Sequence, residues 1–161
     1  MSLLAVVIVG VLVGAYFWSY IVDAFQKHIL PWCRENLSPG ISGHIEGMFV
    51  WLDKKVTATK RAINESWALF SKSLLGSETR VARKSATEGI ITRTDYLVTG
   101  EGKVKRRIAE QAVSWHELPD NLRDEMLRLG SSEAVMDNKA AIRDKVLERA
   151  AEEGMVLELV N

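Results

Sequence analysis

Residues 89–115 read GIITRTDYLVTGEGKVKRRIAEQAVSW. Gly89 to Thr99 is rich in Ile, Thr, Tyr and Val, side chains that suit a pleated surface. Gly100, Glu101, Gly102 and Lys103 make a turn, and a second extended run follows from Val104 to Trp115. Two such runs around a short Gly-containing loop predict a β-hairpin. Because strand side chains alternate, Ile90, Thr92, Thr94, Tyr96 and Val98 share one face with Val104, Ile108 and Ala112. Arg93, Asp95, Lys105 and Arg107 take the other. A lone hairpin is marginal in water, so further strands are expected, one from Thr79–Thr87 and one from Met155–Val160.

On the C-terminal side of the hairpin, Pro119 opens a helix with Asp120, Asp124 and Glu125 in its first turns, where acidic groups complement the helix dipole. Leu122, Met126 and Leu129 form its inner stripe and Gly130 stops it. Ser131, Ser132 or Asp137 caps a second helix, with Ile142, Val146 and Ala150 on its apolar side and Gly154 past its end. Residues 77–161 are therefore expected to form a small α+β interaction domain.

On the N-terminal side, Ile45, Phe49, Leu52, Val56, Thr59, Ile63, Trp67, Phe70 and Leu74 recur at steps of three and four. This spacing predicts one amphipathic stalk helix over residues 45–76, about 45 Å long. Its seam, Ile45, Phe49, Leu52, Val56, Ile63, Trp67, Phe70 and Leu74, is expected to contact another protein, with a bilayer surface or the chain's own C-terminal part as alternatives. Residues 31–44 contain Ser38, Pro39, Gly40, Ser42 and Gly43, a cluster that reads as a linker.

Leu3 to Val22 is an uncharged run of twenty residues, long enough as a helix to span roughly 30 Å of hydrocarbon. It predicts a transmembrane anchor over residues 1–30, ended or kinked by Pro31. A cleaved secretory signal fits less well, because no basic residue precedes the run and no small-x-small site follows it. Gly10 and Gly14, with Ala15 and Ser19 on a neighbouring stripe, are the expected helix-packing positions. Trp18, Tyr20, Lys27 and Trp32 are expected at the membrane interface. Lys27 and Arg34 follow the run, so the positive-inside bias predicts a single-pass protein of the plasma (inner) membrane, with its N-terminus outside and its C-terminal domain in the cytoplasm. The lone Cys33 agrees with a reducing compartment.

No pattern of chemistry emerges. His28, His44 and His116 have no metal-ligand spacing with one another or with Cys33. The two glycines of the Gly100–Lys103 turn are too close together for a phosphate loop. Neither cofactor, metal nor catalysis is expected. The basic cluster Lys103, Lys105, Arg106 and Arg107 is a candidate contact for anionic lipid or an acidic partner; nucleic acid is not expected, since acidic groups flank it and no aromatic stacking pattern accompanies it.

The formal net charge is zero, with 21 basic and 21 acidic residues. The balance is uneven, for residues 119–161 carry six basic and ten acidic groups. The expectation at this point is a membrane-anchored, non-catalytic protein that self-assembles or docks as a subunit of a larger membrane complex. Its alternatives are a bilayer-shaping accessory protein and an enzyme completed by a partner chain.

Overall fold

The computed structural model describes residues 18, 21–23, 25–118 and 120–160. Helix α1 is helical at residues 18 and 21–23 and then from 25 to 36. It is followed by α2 (Pro39–Leu52), α3 (Lys60–Ser73), β1 (Leu74–Arg83), β2 (Glu88–Val98), β3 (Val104–Ser114), a short 3-10 turn (Trp115–Glu117), α4 (Asp120–Leu129), β4 (Glu133–Asp137) and α5 (Asn138–Glu152). The four strands form one antiparallel sheet in the order β3-β2-β1-β4.

The long stalk helix does not exist. Its seam is divided between α2 and α3, with the chain turning over residues 53–59. Leu52 ends α2, the Asp53, Lys54 and Lys55 that follow are exposed, and Lys54 takes the left-handed conformation (φ 65°). Thr59 then caps α3, accepting from the Ala62 N–H at 3.3 Å. At its far end α3 passes directly into β1, so Leu74 belongs to the sheet.

The breaker cluster likewise reads differently in three dimensions. Ser38 accepts from the Ile41 N–H and Pro39 sits in the first turn, an arrangement that starts a helix and needs no linker. Gly40, Gly43 and Gly47 all lie inside α2. Pro31 lies within α1, which runs on to residue 36. Asn36 Nδ2 donates to the Trp32 carbonyl and the Leu37 N–H to that of Cys33.

Among the described residues no helix is long and apolar enough to cross a membrane. This overturns the expected transmembrane anchor and, with it, the single-pass placement in a plasma membrane. Most of the Leu3–Val22 run lies outside the described residues. Where it enters them, Ile21 and Val22 are buried, and beyond its end Phe25, Ile29, Trp32 and Cys33 of the same helix are buried in the core too. The physical reason is the aromatic content of the two shorter helices. Phe25 of α1 lies 5.3 Å from Phe49 of α2 and 5.9 Å from Phe70 of α3, and Phe49 and Phe70 meet edge to face at 5.6 Å. A single amphipathic stripe, once folded back on itself, supplies the enclosure that a straight stalk could not.

The core is continuous from Ile21 to Leu157. It lies between the helices and one face of the sheet, and Ile142, Val146 and Ala150 of α5 complete it. Asp137 is the residue that caps α5, accepting from the Ala140 N–H at 3.0 Å. Gly130 and Gly154 adopt positive φ just past α4 and α5, where helices commonly end. Met155–Val160, expected as a strand, is irregular and instead lets the Val160 carbonyl accept from Trp67 Nε1 at 3.2 Å.

Candidate functional site

The hairpin forms where expected, in register from Glu88 opposite Ser114 to Val98 opposite Val104. Gly102, at φ 75°, makes its turn. The faces, however, are inverted relative to a simple hydrophobicity reading. The covered face carries Gly89, Ile91, Arg93, Asp95 and Leu97 of β2 with Ser77, Thr79 and Val81 of β1, all buried. The opposite, more open face carries Ile90, itself buried, the partly exposed Thr92, Thr94 and Val98, and Tyr96, with Val104, Ile108 and Ala112 of β3. Tyr96 is 41% exposed, Ile108 52% and Val104 58%, and Val135 of β4 extends the same face at 51%.

Two charges on the covered face are affordable there because they satisfy each other. Arg93 Nε donates to both carboxylate oxygens of Asp95 at 3.0 and 3.1 Å, and its guanidinium lies 4.0 Å over the Phe25 ring. Asp95 also accepts from the Ser77 hydroxyl. Asn138, the first residue of α5, donates to Ser77 Oγ at 3.0 Å and Thr79 Oγ1 at 2.8 Å. One buried polar chain thus ties α1, β2, β1 and α5 in a fixed arrangement.

Beside it, a cleft of about 290 Å³ opens between α1 and the β2–β3 pair, lined among others by Asp23, Lys27, His28, Arg93, Glu110 and Gln111. Arg107 Nη1 donates to the His28 carbonyl at 3.0 Å and pins β3 to α1. Burial, together with the positive charges of Arg107 and Arg93, holds His28 below its ordinary pKa and so favours the neutral ring. The lining residues include no hydroxyl or thiol nucleophile. Cys33 is buried in the core, and that burial pushes its thiol up to about 11, far from a reactive thiolate. Among the described residues no group of three or more His, Cys, Asp or Glu side chains could hold a metal ion.

The expected site residues distribute as follows. Gly10, Gly14, Ala15, Ser19 and Tyr20 lie outside the described residues. Trp18 packs half-buried on the core and Trp32 is buried within it, whereas Lys27 is exposed and paired with Asp23 at 2.6 Å. Of the stalk seam, Ile45, Phe49, Leu52, Ile63, Trp67, Phe70 and Leu74 all lie in this chain's own core, and Val56 alone is exposed. They hold the chain together and offer nothing to a second one. Within the basic cluster, Lys103 pairs with Glu101 at 2.8 Å, Lys105 and Arg106 are exposed on β3, and Arg107 is tied to α1.

Sequence reasoning missed the Arg93–Asp95 pair, the Asn138 hub and strand β4. The signal for the first was present: Ile91 and Leu97 share the face of Arg93 and Asp95, so that face had apolar anchors at both ends. No protein family, curated protein or solved structure matches this chain.

Proposed function

We propose that this chain is a non-catalytic assembly subunit that acts by being bound, through the open face and free edge of its β2–β3 hairpin. The observation that carries this reading is the open sheet face. Among the described residues, Tyr96, Val104 and Ile108 lie exposed beside the partly exposed Thr92 and Thr94, a β-branched and aromatic surface, with Val135 exposed across Arg80 from Thr92. Exposed single apolar residues are ordinary, but a grouped apolar surface rimmed by charges marks a contact site. Glu78 and Arg80 of β1 flank the β2 residues on one side, and Arg106 and Glu110 of β3 supply charges on the other.

The inner polar chain supports the reading from the other side. It makes the sheet a rigid platform, so little ordering cost remains when a partner docks. The native mass of the full chain, as extracted from cells that make it, is the test. The reading expects an assembly well above the 18.0 kDa of one chain. A lone chain of that mass would contradict it.

A further inference from the structure

The geometry points to a second copy of this chain as the occupant of the free β3 edge; this rests on the assembly reading above and names its partner. β3 is eleven residues long, about 37 Å, and among the described residues pairs on one side only. Its backbone polarity can be worked out from the ladder. Thr99 N–H donates to the Lys103 carbonyl and Trp115 N–H to that of Thr87, both at 2.8 Å, so the odd-numbered residues exchange hydrogen bonds with β2. The alternation of an antiparallel ladder then turns the N–H and C=O groups of Val104, Arg106, Ile108, Glu110 and Ala112 toward the open edge. These five residues also carry their side chains on the open face.

A two-fold axis at Ile108 brings two such edges together antiparallel. Ile108 then faces its own copy, Arg106 faces Glu110 of the second copy, and Val104 faces Ala112. By symmetry the Arg–Glu match occurs twice, and about ten new backbone hydrogen bonds join the strands. Neighbouring registers lose this match. An axis at Arg106 sets two guanidinium groups against each other, and one at Glu110 does the same with carboxylates. Axes at Arg107 and Ala109 leave Glu110 facing Val104 and Ile108 respectively. Arg106 and Glu110 are both exposed, and among the described residues neither is tied up in an ion pair of its own chain. Lysine and arginine on an edge ordinarily discourage strand addition. Here an acidic residue four positions away converts the same charge into a selector for one register and one partner. The product is a continuous eight-stranded sheet, with the helices of both copies on one side and the Thr94–Tyr96 surface of both on the other.

The test is sedimentation equilibrium of the purified full chain, which on this proposal gives twice the 18.0 kDa chain mass. Arg106→Glu or Glu110→Arg alone sets like charges opposite each other twice per dimer and weakens the dimer about tenfold in Kd. The double reversal Arg106→Glu/Glu110→Arg restores it to within about threefold, which a misfolded variant would not do. Ile108→Pro deletes an edge-facing N–H while leaving every β2 bond in place, and gives a monomer. A wild-type monomer, or a dimer indifferent to these changes, overturns the proposal. If the purified chain is a monomer while the native extract holds a larger assembly, edge pairing fails and the assembly reading stands. A lone monomer in both experiments removes both.

Discussion

Asp95 and Arg93 are the residues on which the arrangement of helices over the sheet depends. Both are almost fully buried; Arg93 pairs with Asp95 and lies over the Phe25 ring, and Asp95 also accepts from Ser77. Removing one member takes from the other the counter-charge it is hydrogen-bonded to in the interior, which is far costlier than removing both. Asp95→Ala is expected to destabilise the fold by about 3–5 kcal/mol, and Arg93→Met/Asp95→Leu by much less. Urea denaturation midpoints measure both. Equal losses for the single and double variants would show that the pair is not acting as a unit.

His28 gives the fold a pH dependence whose sign follows from its surroundings. Its folded pKa lies below the ordinary 6.5, so the unfolded chain binds the extra proton more readily. Stability from this residue is fully present above about pH 6.5 and is lost as pH falls through and below that value. Between pH 7 and pH 5 the wild type should therefore lose more thermal stability than His28→Gln, as read by the difference in Tm. An identical pH response in the two proteins would mean that the ring is not held neutral.

At the scale of the element, periodicity located the helical residues but not where one helix became two. Of the apolar seam, Ile45, Phe49, Leu52, Ile63, Trp67 and Phe70 are buried, as their spacing implied, and Val56 is not. What spacing does not encode is that Asp53–Thr59 leaves the helical path. A heptad-like seam remains almost in phase across such a break, so it looks continuous. Lys54, in the left-handed region, is the local marker of the turn. Glycine adopts that conformation without the Cβ penalty. Lys54→Gly should stabilise the protein by about 0.5–1 kcal/mol, measured by the chemical denaturation midpoint. A loss of stability would place the turn elsewhere.

The hairpin shows the complementary lesson. Its strands and turn were legible because a Gly-containing loop separates two extended runs. Its orientation was not. A face of Ile, Thr, Tyr and Val looks like a core face, and a face holding Arg93 and Asp95 looks like a solvent face. Only the tertiary neighbours reverse that judgement, because Phe25 of the covering helix takes the guanidinium on its ring and the Ser77 hydroxyl of β1 donates to the carboxylate. β4 was missed for a related reason: five residues between two helices carry too little pattern to announce a strand.

For the whole molecule, the apolar N-terminal run dominated the sequence-based expectation, and its described end is enclosed by protein. The aromatic residues that enclose it were visible in the sequence but were assigned to an interface with some other chain. The same error of assignment hid the candidate site, for once the stalk seam is spent on the core, the surface left for partners is the hairpin. Its open face and free edge form the claim on which the functional reading stands.

Residue-resolved amide hydrogen exchange along β3 of the full chain tests that claim most directly. A free edge leaves the amides of Arg106, Ile108 and Glu110 to water, while those of Lys105, Arg107 and Ala109 are held by β2. Pairing through the edge predicts comparable protection for both sets, and a return to alternation in Arg106→Glu. Strict alternation already present in the wild-type protein at concentrations where it should be assembled would contradict it.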